Sequence, residues 1–163
     1  MMGIIRAFGA LFLNNQSSLP EENESPIRGD KQYRCTILAI DDDPTFLETL
    51  RPALADSGFN VLTSTSGSKG LQMLRFAGRE CRVVLLDYNM PKFDGCETLQ
   101  HLRRLNPHVK VLALTGIDQN LLPSSFQEGV DKFFPKPFRT RDLIDAINTL
   151  AGLQSLPEAP GNN

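Results

Sequence analysis

What most constrains this chain is a change of hydrophobic period that recurs five times between residues 35 and 152. Short branched apolar runs occur at Thr36 to Ile40, Asn60 to Thr63, Arg82 to Leu86, Val109 to Leu114 and Lys132 to Phe134, and each reads as a strand. Between and after them the apolar residues fall at helical spacing. Phe46, Leu47, Leu50 and Leu54 form one stripe; Leu71 and Leu74 mark a second, short helix; Cys96, Leu99, Leu102 and Leu105 line a third. Pro123 opens and Gly129 closes a fourth of about two turns, bearing Leu122 and Phe126, and Leu143, Ile144, Ile147 and Leu150 share one face of the last.

Strands alternating with helices require right-handed crossovers and a mainly parallel sheet covered on both faces. The expected fold is therefore α/β of the flavodoxin-like, doubly wound (βα)5 type, with a five-stranded parallel sheet in the order 2-1-3-4-5 flanked by five helices. Ligands of such sheets bind beyond the carboxyl ends of the strands, where strand order reverses.

The ends of the chain lack this pattern. Residues 14–34 are rich in Asn, Ser, Glu and Pro and cannot build a core, and residues 154–163 carry Pro157, Pro160 and Gly161. The expected organisation is a flexible arm over 1–34, one domain over 35–152 and a disordered tail over 153–163. Gly3 to Leu13 is apolar but short, contains Arg6 and offers no small-residue cleavage site, which argues against a secretory signal. No apolar run reaches the 18 residues of a membrane span. A formal charge of −2 gives no basic footprint, so direct nucleic-acid binding is not expected. Cys35, Cys81 and Cys96 are odd in number and lie in or beside apolar runs, as reduced, packed thiols of a cytoplasmic protein do.

The chemistry gathers at three strand ends. Val83 to Leu86 runs into Asp87, the first strand ends at Asp41-Asp42-Asp43, and the fifth ends beside Lys136 within Phe133-Phe134-Pro135-Lys136-Pro137. Asp43 or a neighbour suits the cap of the following helix. Three consecutive acids exceed what capping needs, and their repulsion beside Asp87 calls for a cation. Mg2+ fits best, being hard and oxygen-seeking. Asp87 then has one oxygen free to attack phosphorus and form an acyl phosphate, a reaction that depends on positioning and charge neutralisation. Lys136, its backbone held by flanking prolines, supplies a mobile point charge. Thr115 ends the fourth strand before Gly116 and offers a hydroxyl to the same oxygens. Phe133 reads equally as a core aromatic and as a side chain that repacks when Thr115 moves. Gly67-Ser68-Lys69-Gly70 lacks the order of a nucleotide phosphate-binding loop.

With these residues in place, the stretch from 35 to 152 resembles the receiver domain of bacterial two-component response regulators. The resemblance is carried by Ile37-Leu38-Ala39-Ile40-Asp41-Asp42-Asp43, Leu85-Leu86-Asp87-Tyr88-Asn89-Met90-Pro91, Leu112-Ala113-Leu114-Thr115-Gly116 and Phe133-Phe134-Pro135-Lys136-Pro137-Phe138, in that order. It implies that Asp87 is the phosphoacceptor, charged by a sensor histidine kinase or a histidine phosphotransfer protein. It further implies Mg2+ on Asp41, Asp42, Asp87 and the backbone carbonyl of Asn89, with Asp42 the direct ligand of the acidic pair. Thr115 and Lys136 would contact the phosphoryl group, and Thr115 and Phe133 would form the switch that alters binding of a downstream protein. Asn89 is small enough to admit an in-line water, which implies slow loss of the phosphoryl group. A second copy of the chain is a candidate partner, although Pro123 disturbs the helix on which such pairing would rest. In this reading the protein catalyses its own phosphorylation and dephosphorylation but is chiefly a signalling switch.

Two rivals remain at this level. A haloacid-dehalogenase-type phosphatase also uses a strand-end aspartate and Mg2+, but seeks a carboxylate two residues on, where this chain has Asn89. A receiver-like scaffold would bind partners without phosphorylation.

Overall fold

The computed structural model describes residues 33–90 and 95–154. The expected arm, over most of its length, the tail beyond Gln154, and Pro91 lie outside the described residues. The elements run β1 Thr36–Ile40, α1 Pro44–Asp56, β2 Asn60–Ser64, α2 Gly67–Ala77, β3 Cys81–Asp87, α3 Gly95–Leu105, β4 Lys110–Thr115, α4 Ser124–Gly129, β5 Lys132–Pro135 and α5 Thr140–Ala151. All strand pairs are parallel, and the order is β2-β1-β3-β4-β5. This is the flavodoxin-like (βα)5 fold expected from the alternation of periods.

The pleat divides the core in two. Ile37, Ala39, Val83, Leu85, Leu112 and Leu114 face α1 and α5, meeting Leu47, Leu50, Leu54, Leu143 and Ile147. Their sequence neighbours Leu38, Ile40, Val84, Leu86, Val111 and Ala113 face the other way, onto Leu74, Leu99, Leu102 and Phe126 of α2, α3 and α4. Successive residues of a strand point to opposite faces, so strands covered on both sides read as continuous apolar runs.

Element boundaries differ in instructive ways. The Gly67-Ser68-Lys69-Gly70 stretch is the first turn of α2, capped by the Ser66 hydroxyl accepting from the Lys69 N–H. The stripe assigned to α3 is narrower than its leucine spacing suggests, for Leu105 is exposed and Cys96 only half-buried, while Leu99 and Leu102 are buried. Leu105 is the last residue of the helix. The fourth helix is as short as expected, opening after Pro123 and ending at Gly129, but of the two apolar residues assigned to it only Phe126 lies within it, Leu122 preceding Pro123. α5 ends where Gly152 takes the left-handed conformation, φ +64°, which costs a residue without Cβ little. No described helix is long and apolar enough to cross a membrane.

The amino ends of β4 and β5 are tied by Asp131. Its carboxylate accepts from Arg103 at 2.6 Å, from Lys110 at 2.8 Å and from the Val111 N–H at 2.8 Å. Arg103 also donates to the Gly129 and Val109 carbonyls at 2.8 and 2.6 Å. Burial opposes ionisation of this carboxylate, but the Lys110, Val111 and Arg103 contacts together outweigh it and hold the pKa below the usual aspartate value. A depressed folded-state pKa contributes stability above the unfolded pKa of about 3.9, lost as pH falls through the folded value. Asp131→Ala should therefore cost about 1–3 kcal/mol at neutral pH. In urea titrations the difference from the parent should shrink below about pH 4; a gap unchanged at pH 3 would contradict this account.

Asn148 poses the opposite case. It lies on the buried side of α5, 1% exposed, with neither amide atom hydrogen-bonded. An unpaired buried amide carries its full desolvation cost. Asn148→Leu should raise stability by about 1 kcal/mol, read as a higher denaturant midpoint with unchanged slope; a lower midpoint would show that the amide has an uncounted partner.

Candidate functional site

The site lies at the carboxyl ends of β1, β3, β4 and β5. β1 and β3 are neighbours at the centre of the sheet, so their following acids meet. One carboxylate oxygen from each of Asp41, Asp42 and Asp87 lies within 4.8 Å of the others. Asp41 and Asp87 are buried, whereas Asp42 is exposed.

The three consecutive acids do different work because the chain turns sharply there. Asp43 is the cap of α1, its carboxylate accepting from the Thr45 and Phe46 N–H groups at 2.9 and 3.2 Å, and Pro44 in the first turn forgoes an N–H that the helix would leave unpaired. Asp41 is held by the Asp43 N–H at 3.0 Å on Oδ1. Its Oδ2 accepts from Lys136 Nζ at 2.6 Å. The Asp42 side chain faces outward beside them.

Asp87 is the last residue of β3. Its Oδ2 accepts from the Asn89 N–H at 3.0 Å and its Oδ1 from Lys136 Nζ at 3.2 Å. Lys136 thus bridges two carboxylates that are remote in sequence. Burial pushes the Asp87 pKa up; Lys136 pulls it down, the Asp41 charge adds to the rise, and the net direction is upward. For Lys136 burial favours the neutral amine, but the Asp41 hydrogen bond and the charges of Asp87 and Asp41 prevail and hold the ammonium pKa above its ordinary value. Negative charge is crowded here, and Lys136 does not fully relieve it.

Thr115 ends β4. Asp87 pairs with Leu114 in the sheet, so Thr115 stands one residue farther toward the site. It is buried, its hydroxyl accepts from the Ile117 N–H at 3.0 Å, and its carbonyl accepts from the Lys136 N–H at 2.9 Å. That last bond fixes the start of the lysine against β4. The Lys136–Pro137 peptide is cis. Asn89 is exposed beside Asp87. Phe133 is half-buried, its ring 6.2 Å from that of Phe126, which in turn lies 5.0 Å from Tyr88, the residue after Asp87.

Two further residues shape the site. Phe46 places its ring beneath the ammonium, with Lys136 Nζ 4.5 Å from the ring centroid. In the sequence it is indistinguishable from the rest of the α1 apolar stripe. Gly95, at the start of α3, donates its N–H to the Tyr88 carbonyl at 3.0 Å. A Cβ there would lie 2.7 Å from Tyr88 Cα and 2.8 Å from the Asp87 carbonyl oxygen. Glycine followed by a helical stripe was the available signal, but the approach to β3 was not visible in it.

The donor set consists of hard oxygens on adjacent loops, suited to a divalent cation and to a phosphoryl group beside it. Residues 37–148 match the family model described as the response regulator receiver domain. The chain belongs to this family. Receiver-domain relatives include the transcriptional regulatory protein CpxR homolog of Haemophilus influenzae, 36% identical over 131 residues that make up 78% of this chain and 53% of that protein. Another is the response regulator MprA of Mycobacterium leprae, 33% identical over 115 residues, 70% of this chain and 50% of that protein. The chain spans about half the length of the curated relatives it matches. Among solved structures, a response regulator receiver domain protein from Clostridium thermocellum is 33% identical with a TM-score of 0.67, covering 72% of this chain and 94% of that one. A CheY-like receiver domain protein from Methanospirillum hungatei is 28% identical, with the same TM-score and coverages. The receiver domain here has an Asp41, Asp42, Asp87 cluster suited to holding a divalent cation and to phosphoryl chemistry.

Proposed function

We propose that the domain accepts a phosphoryl group on Asp87 from the phosphohistidine of a sensor histidine kinase or a histidine phosphotransfer protein. The observation that carries this reading is the meeting of a buried strand-end carboxylate with a second buried carboxylate, an exposed third and one ammonium. An Asp87 carboxylate oxygen attacks phosphorus while the donor's P–N bond breaks, its electron pair returning to the imidazole nitrogen. The product is an acyl phosphate.

Asp41, Asp42, Asp87 and the carbonyl of Asn89 would hold Mg2+. Bound there, the ion supplies positive charge against the phosphoryl oxygens. Lys136 neutralises a further oxygen, moving from its contacts with Asp41 and Asp87 toward the new charge. The Thr115 hydroxyl donates to the phosphoryl group, giving up its present role as acceptor from Ile117. That displacement loosens the end of β4 beside Phe133, whose partners are Phe126 and, through it, Tyr88. Repacking of these rings would alter the face that a downstream protein reads. The setting is cytoplasmic, where ATP-dependent kinases operate.

Beryllofluoride with Mg2+ tests the reading without a cognate kinase. Amide resonances of Asp87, Thr115 and Phe133 should shift together, and chelation of Mg2+ should reverse the change. Binding that leaves Thr115 and Phe133 unmoved would favour a scaffold that does not use phosphorylation.

A further inference from the structure

We infer that Phe46 is a positioning residue for the phosphoryl-transfer site, holding the Lys136 ammonium by its ring face independently of the carboxylates. The inference rests on the reading of Asp87 as the acceptor and concerns a residue outside the acidic cluster.

Among the described residues, three groups hold Lys136 Nζ. Two are carboxylates, at 2.6 Å on Asp41 and 3.2 Å on Asp87; the third is the Phe46 ring, 4.5 Å from ammonium to centroid. A cation within about 6 Å of an aromatic centroid is attracted by the ring quadrupole. The carboxylates must serve a second purpose when a divalent cation is shared between them, and their pull on the ammonium then falls. The ring is neutral and keeps its attraction. Without it the lysine, 29% exposed in its side chain, has an open route into water and a flexible four-carbon stem on which to take it.

The ring is itself fixed. Phe46 lies in the first turn of α1, its N–H held by the Asp43 cap at 3.2 Å. Its ring meets that of Phe138 edge-on, at 6.2 Å and 82°, and Phe138 meets Phe134 at 5.3 Å and 66°. Offset and edge-on contacts of this kind orient aromatic rings. The segment Lys136-Pro137-Phe138 therefore supplies both the ammonium over the Phe46 ring and a second ring in T-shaped contact with it. An aliphatic residue would fill the same space but would not attract the cation.

The test separates packing from cation attraction. With acetyl phosphate as donor and saturating Mg2+, Phe46→Leu should slow labelling of Asp87 by about threefold to tenfold. Phe46→Tyr should hold the parent rate. Replacing Phe46 by mono-, di- and trifluorophenylalanine, which weakens the quadrupole at nearly constant volume, should lower the rate stepwise. In a Lys136→Ala background Phe46→Leu should cause no further loss. A readout free of phosphorylation is the Lys136 ε-methylene resonance, expected upfield from the ring current, remaining so when Mg2+ is added, and moving to its ordinary position in Phe46→Leu. The inference is overturned if the fluorinated series labels at one rate, if the Leu effect persists without Lys136, or if the upfield shift is absent or vanishes with Mg2+. If Lys136→Ala slows labelling while Phe46→Leu does not, this inference alone falls; if Asp87→Asn still labels, the reading of the site falls with it.

Discussion

Asp87→Asn is expected to abolish labelling by acetyl phosphate and Mg2+ while leaving the domain folded and at least as stable as the parent. Both halves follow from one geometry. The amide has the shape of the carboxylate and can still accept from the Asn89 N–H or Lys136, but it lacks a nucleophilic oxygen able to form an acyl phosphate. Stability moves the other way. Burial raises the Asp87 pKa in the folded state, so the carboxylate is more easily protonated in the folded chain than in the unfolded one. A raised carboxylate pKa makes folding less favourable as pH rises through that range, and at neutral pH the ionised group is a net cost that an amide does not carry. Lys136 retains Asp41 at 2.6 Å, so no charge is left buried without a partner. Intact-protein mass spectrometry reads the phosphoryl adduct and urea titration reads the stability. Undiminished labelling of the variant would sink the assignment of Asp87; a large loss of stability would show that its contacts hold the strand end together.

The second large effect comes from a residue with no side chain. Gly95→Ala should destabilise the domain by about 2–3 kcal/mol and slow labelling of the folded protein about tenfold or more. The added Cβ would meet backbone atoms, Tyr88 Cα at 2.7 Å and the Asp87 carbonyl at 2.8 Å, which cannot swing aside as a side-chain tip can. The Gly95 N–H to Tyr88 carbonyl bond at 3.0 Å is lost if the helix start backs away. Strain therefore falls on the residue after the acceptor, where small displacements of reacting groups are costly. Gly116→Ala is the control, since it adjoins Thr115 but a Cβ there meets nothing within 4 Å. If the two variants show equal stability and equal labelling rates, the close approach has no consequence.

Much of the fold was legible because the central strands β1, β3 and β4 are buried almost throughout and read as apolar runs, and the longer helices carry an apolar stripe. Ile37 to Ile40 and Val83 to Leu86 announce themselves in this way. Boundaries were less legible. Leu105 continues the α3 leucine spacing yet is exposed at the last position of the helix, because spacing records direction around a helix and not how far along it the packing continues. Gly67 and Gly70 look like loop residues, but Gly70 sits in α2 where a Cβ would strike Ile40 at 2.5 Å, a packing demand that outweighs helix propensity.

By itself the sequence determined the alternation of strand and helix, hence the parallel doubly wound sheet, and the presence of acid, hydroxyl and ammonium groups at strand ends. Periodicity is a local property, readable within each segment. Only the tertiary structure decided how Asp41, Asp42 and Asp43 divide into ion-paired, exposed and capping roles, because that depends on how the chain turns after β1. It alone brought Lys136 onto Asp41 and Asp87, Phe46 beneath the ammonium and Gly95 against β3. These contacts join residues far apart in the chain, and strand order 2-1-3-4-5 together with the paths of the connecting loops determines which strand ends become neighbours.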